Sequence, residues 1–148
     1  MKRFRFPLEQ VRAWRQSQLE VEQARLRKLL DELSRLEQAA AELQDRLRAA
    51  EREFQLAAAA QRPIEARQLA RLDEFRLYAK RQQARFASQA AELRQRIASQ
   101  RERLVEARRQ HRLLERLKER ARQEWLRDYA RQTENLASEL YLARYTQR

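Results

Sequence analysis

The residues best equipped for chemistry in this chain are its arginines. The stretches KRQQAR, residues 80–85, and EARRQHR, residues 106–112, gather guanidinium groups suited to bidentate recognition of phosphates or of an acidic protein groove. Of the 34 basic residues, 30 are arginine. Residues 1–60 carry 12 basic and 10 acidic side chains and residues 61–148 carry 22 and 12, so the positive excess lies in the second part. Nucleic acid would be held through phosphate contacts alone, with a salt-dependent and sequence-blind affinity, because none of the base-reading modules is visible. The solvated faces of a coiled coil account for the same runs. Catalytic chemistry finds no support. With His111 as the single histidine and no cysteine, the usual ligands of a zinc site are missing, and no metal or cofactor is implied. Without glycine there is no loop to cradle a phosphate. The carboxylates lie on helical surfaces that offer no cleft to perturb them. The chain reads as a non-enzyme.

The elements that carry these residues are helical. No glycine, two prolines and an abundance of Ala, Leu, Arg, Glu and Gln leave no turn residues for sheets or loop-rich domains. Leu19, Leu26, Leu33, Ala40, Leu47 and Phe54 recur every seven residues, with Leu29, Leu36, Leu43, Ala50 and Ala57 three residues behind all but the first. These are the a and d positions of a heptad repeat. The pattern fails at Arg15 and Glu22 and partly recovers through Trp14, Val11 and Leu8. Pro7 suits a first helical position, where its missing N–H costs nothing. After Pro63 a second series follows, with Leu72, Ala79, Phe86, Leu93, Gln100, Ala107 and Leu114 at d and Leu69, Ala90, Ile97, Leu104 and His111 among the a positions.

An antiparallel hairpin turning at Pro63 must pair residues whose numbers add to about 126, twice the position of that proline. Large then meets small: Leu47 faces Ala79, Ala40 faces Phe86, Leu36 faces Ala90 and Ala57 faces Leu69, as close packing across a seam requires. Leu33/Leu93 and Leu29/Ile97 form aliphatic layers, and His111 falls opposite Arg15 as a seam residue. The expected fold is therefore all-α: a single elongated, two-helix antiparallel coiled-coil hairpin over residues 1–148. Helix one spans about 7–60, the turn about 61–64 and a longer helix two about 65–145. Pro63 is expected at the first position of helix two, with Glu65 in its first turn. The alternative is one kinked long helix that dimerises; the hairpin is a monomer when free.

The pairing rule leaves residues beyond about 119 without helical partners. Within that overhang Trp125, Tyr129, Leu136, Leu140 and Ala143 share one helical face. A lone helix exposing such a stripe is poorly stabilised, so the stripe implies a partner or a fold-back onto Phe4 and Phe6. Near the turn, Phe75 at the seam's edge and Tyr78 pointing away from it form an i, i+3 aromatic pair that the hairpin does not need, although scattered exposed aromatics are ordinary.

The basic N-terminus MKRFRFPLEQV is followed by no apolar core of a signal peptide, and no window approaches the ~18 apolar residues of a membrane span, so a cytoplasmic location is expected. Phe4, Phe6, Leu8 and Val11, the Phe75/Tyr78 pair and above all LLERLKERARQEW, residues 113–125, make the chain resemble the FliJ family of flagellar export proteins over essentially its whole length. It departs from that family's pattern at Gln82 and in ENLASEL, residues 134–140. The resemblance implies an antiparallel coiled coil similar to the central stalk of rotary ATPases, whose end carrying both termini enters the hexameric export ATPase. It further implies contact with the linker of the membrane-embedded export gate, escort of export chaperones, and peripheral association with the inner membrane through that apparatus. On this resemblance Trp125, Tyr129, Leu136 and Leu140 form the ATPase-facing end, and Phe75 and Tyr78 a gate contact. The equivalent stalk of a virulence-type secretion system and a basic nucleic-acid-binding coiled coil remain as alternatives.

Overall fold

In the computed structural model, which describes residues 3–146, two helices account for the regular structure: α1, Glu9–Ala59, and α2, Ala66–Thr146. They run antiparallel, and α2 is the longer. The Leu8 carbonyl accepts the first intrahelical bond of α1 from the Arg12 N–H (2.8 Å), so Leu8 caps the helix and Pro7 lies in the preceding turn, two residues before the first helical position rather than at it. Glu9 supplies the acid that the first turn favours.

The end of α1 explains how a chain without glycine turns. Gln61 adopts a left-handed conformation (φ 53°). Its N–H donates to the Ala58 carbonyl (3.1 Å) and the Arg62 N–H to the Ala57 carbonyl (3.1 Å), the paired bonds of a Schellman cap with Gln61 at the position that glycine usually takes. Pro63 follows two residues later, where it blocks continuation of α1. Its role is therefore to end the first helix; the expectation that it starts α2 is corrected. Glu65 likewise stands before α2: its carbonyl accepts from Gln68 N (3.0 Å), and its own N–H donates to the Gln68 side-chain oxygen (3.4 Å), a reciprocal cap.

Contacts divide the chain into two compact units, Gln23–Glu102 and the remaining segments of both helices, residues up to 22 and from 103 on. In the first, Leu72, Ala79, Ala90, Ile97 and Gln100 of α2 are buried. The α1 seam residues from Leu26 to Ala57 are all half-buried. The register agrees with the pairing rule. Leu36, Ala40, Phe86 and Ala90 line one groove, and Gln83 donates to Gln44 while Arg76 donates to Glu51 (2.9 Å) and Arg94 to Glu37 (3.3 Å). Arg76 and Gln83 occupy a positions, so these cross-helix bonds satisfy polar layers of the seam that apolar residues leave open. One expected layer is corrected: Leu69 is 43% exposed, and Ile64, brought in by the extended segment before α2, lines the groove beside Ala57, Phe54 and Leu72 instead.

The second unit has a different interior. Leu104 and Leu114 are buried, but Leu8, Val11 and Trp14 are exposed, so the expected apolar recovery of the α1 seam is also corrected. Arg12 and Arg15 hold the seam positions there.

Candidate interaction surfaces

The ionic part of the second unit is built on spacing that heptad reading passes over. Arg12 and Lys118 stand at a positions, with Glu9 and Glu115 at the adjacent e positions. Arg12 grips Glu9 through Nε (3.0 Å to Oε1) and Nη2 (2.6 Å), and reaches across to Glu115 Oε1 through Nη1 (2.7 Å). Lys118 Nζ closes the group on Glu9 Oε2 at 3.0 Å. The hydrogen bonds from Arg12, and then from Lys118, hold the half-exposed Glu9 carboxyl down at about 2, against an ordinary 4.5. The same carboxylates raise the Arg12 guanidinium further above its already high value. Arg15 donates to Gln110 and lies 4.7 Å over the Trp14 ring, a cation–π contact. His111 Nε2 is occluded from solvent and lies 3.5 Å from Glu115 Oε1, a distance at the limit of hydrogen bonding. It is a seam residue beside Gln110, the partner of Arg15. Among the described residues no group of three or more His, Asp or Glu is arranged to hold a metal ion.

The expected C-terminal stripe divides in two. Trp125 is half-buried against Phe4, their ring centroids 6.0 Å apart at 55°, and Tyr129 stacks on Trp125 at 5.3 Å. The extended segment before Pro7 thus reaches further along α2 than the helical pairing rule allows, and the unpaired part of α2 begins after Trp125, where about 119 was expected. From residue 126 to 146 every side chain is exposed. Leu136 and Leu140 are among them, the latter 66% exposed. Tyr141, Leu142 and Tyr145 extend this apolar surface, with Tyr141 and Tyr145 stacked at 6.3 Å. Reading one face at a time missed these three, since a helix without a neighbour exposes apolar groups on every face.

Near the turn, Phe75 and Tyr78 stack at 6.3 Å and 22°. Phe75 is half-buried and forms one wall of the groove of about 450 Å³ lined by Phe54, Ile64 and Leu72, whereas Tyr78 is exposed on the outer flank beside Leu77. The two surfaces belong to different units. No helix among the described residues is long and apolar enough to cross a membrane. Comparison of the chain with protein-family models, with curated proteins and with solved structures finds no match.

Proposed function

We propose that this chain is the coupling stalk of a type III protein export apparatus of the flagellar kind, and that it acts through its ends without hydrolysing anything. The observation that carries the reading is the exposed continuation of α2 over residues 126–146. A helix gains most of its stability from packing an apolar face. Leu136, Leu140, Tyr141, Leu142 and Tyr145 are left without one, and together they make a ready docking surface. In the proposed assembly this end enters the ring of the hexameric export ATPase, with Trp125 and Tyr129 at the base of the contact. The Phe75/Tyr78 flank meets the linker of the export gate, export chaperones are escorted in passing, and the complex sits against the inner membrane from the cytoplasmic side. Binding at one surface influences the other only to the extent of a coupling free energy between them, which is the quantity such a stalk exists to supply.

The test is a pull-down of the purified chain with the cognate export ATPase. Leu136→Ala combined with Leu140→Ala is expected to weaken binding at least about tenfold, because apolar anchors commonly carry ~2 kcal/mol or more of an interface. The same pair should leave thermal melting of the free chain nearly unchanged, since both side chains are exposed. Phe75→Ala with Tyr78→Ala should spare the ATPase and weaken capture of the gate linker. ATPase binding that survives the loss of Leu136 and Leu140 would refute the proposed docking end.

A further inference from the structure

The outward side of α2 between Val105 and Arg116 is rich in arginine that forms no ion pair among the described residues. Several arginines are paired with an acid: Arg76 with Glu51 and Asp73, Arg94 with Glu37, Arg131 with Asp128, Arg12 with Glu9 and Glu115. Arg108, Arg109, Arg112 and Arg116 have no such partner among the described residues. The carboxylates within helical reach are engaged otherwise. Glu106 accepts from Gln110 Nε2 (2.9 Å), Glu115 is held by Arg12, and Glu119 accepts from Gln123 Nε2 (3.2 Å).

These arginines enclose apolar groups. Val105 is 64% exposed and Leu113 59%, and both share one stretch of the surface of α2 with Arg108, Arg109, Arg112 and Arg116 and with the single acid Glu106. In heptad terms Val105 and Arg112 are at b, Leu113 at c, and Arg109 and Arg116 at f, so all point away from the seam, and α1 cannot cover them. Guanidinium rows flanking aliphatic side chains at helical spacing are the complement of a second helix that presents carboxylates beside its own aliphatic residues. A phosphate backbone would satisfy the arginines but leave Val105 and Leu113 wet, and neither aliphatic side chain can stack on a base. A membrane surface would need a broader apolar face than two side chains supply.

We propose that this outward face of α2, Val105 to Arg116, is a docking surface for an acidic amphipathic helix of a partner protein. Each exposed charge pair is weak by itself. Recognition therefore depends on several arginines acting together with the Val105 and Leu113 contact, which also gives the register of the bound helix. The surface lies apart from residues 126–146 and does not depend on the export reading.

The experiment is fluorescence anisotropy of the full chain against a labelled helical peptide that carries leucine and glutamate at alternating i, i+3 and i, i+4 positions. Saturable binding is expected, weakening as salt rises. Arg112→Gln with Arg116→Gln should reduce affinity about tenfold or more, as should Leu113→Ser, while Leu136→Ala with Leu140→Ala should have no effect. A peptide with serine replacing its leucines tests the apolar contact from the other side, and so keeps the answer independent of any folding defect in the Leu113 variant. Absence of saturable peptide binding would overturn the proposal, and so would insensitivity to both the Leu113→Ser and the peptide serine changes. Tighter binding of a DNA duplex, or of phosphatidylcholine vesicles containing phosphatidylglycerol, would assign the arginines to phosphate instead and equally overturn it.

Discussion

Ile97 and Leu69 occupy equivalent a positions in the sequence but not in the folded chain, and their truncation separates what register assigns from what packing delivers. Ile97 is 4% exposed and lies, by register, opposite Leu29; Leu69 is 43% exposed beside the turn. Ile97→Ala removes about three carbons from the seam, which at ~0.8 kcal/mol per buried methylene is about 2.5 kcal/mol. Isoleucine-to-alanine losses run to about 5 kcal/mol where a rigid cavity remains. A seam one layer thick lets its neighbours and water close the gap, so the cost should stay near the lower end, and alanine's better helix propensity returns about 0.4 kcal/mol. The expected loss is about 2 kcal/mol. In Leu69→Ala roughly half of the removed surface was already in water, and the expected loss is about 1 kcal/mol or less. Urea unfolding followed by far-ultraviolet circular dichroism resolves this difference, provided that the denaturant slope is the same for both variants. Equal losses would refute the reasoning, because they would mean that Leu69 contributes to the seam as fully as Ile97 does.

Leu36→Cys with Ala90→Cys should oxidise to a disulfide within one chain, since both residues line one groove; products linked only between chains, seen on a non-reducing gel at low protein concentration, would contradict the antiparallel pairing. Gln61→Gly should stabilise the protein by about 0.5–1 kcal/mol, because relief of the left-handed penalty of ~1–2 kcal/mol outweighs the extra freedom of glycine in the unfolded chain, and a lower melting temperature would count against the cap. Glu9→Gln should be less stable than the parent above about pH 4.5, with the difference shrinking as pH falls and vanishing near pH 2. A carboxyl whose folded value is depressed supports the fold above its ordinary value and loses that contribution as it is protonated, so a difference that instead grew in acid would refute the Arg12–Glu9–Lys118 arrangement. Phe4→Ala should raise the exposure of Trp125, read as a red shift and stronger quenching of its fluorescence in a Trp14→Phe background; unchanged emission would show that the two rings do not pack.

The two helices, their order, the greater length of the second and the antiparallel register could all be read from the sequence by itself. Heptad spacing and the avoidance of glycine and proline are local properties that act through each helix's own geometry. The pairing rule worked from Ala40 and Phe86 because large-against-small packing leaves a trace in both halves of the chain. Other features were decided only by the tertiary structure. Pro63 ends α1 because Gln61 accepts the left-handed cap, a choice between two helix termini that one proline cannot signal. Ile64 displaces Leu69 because an extended segment places side chains by its path and has no helical phase. Arg12, Glu9, Glu115 and Lys118 form a seam of charge because residues more than a hundred positions apart meet there, and polar residues at a positions look like failures of a pattern until their partners are in place. Trp125 is half-buried against Phe4 while Leu136 and Leu140 are exposed, a difference that no helical spacing on α2 encodes. Periodicity identifies which face of a helix is apolar. Whether that face is covered depends on what the rest of the chain can bring to it.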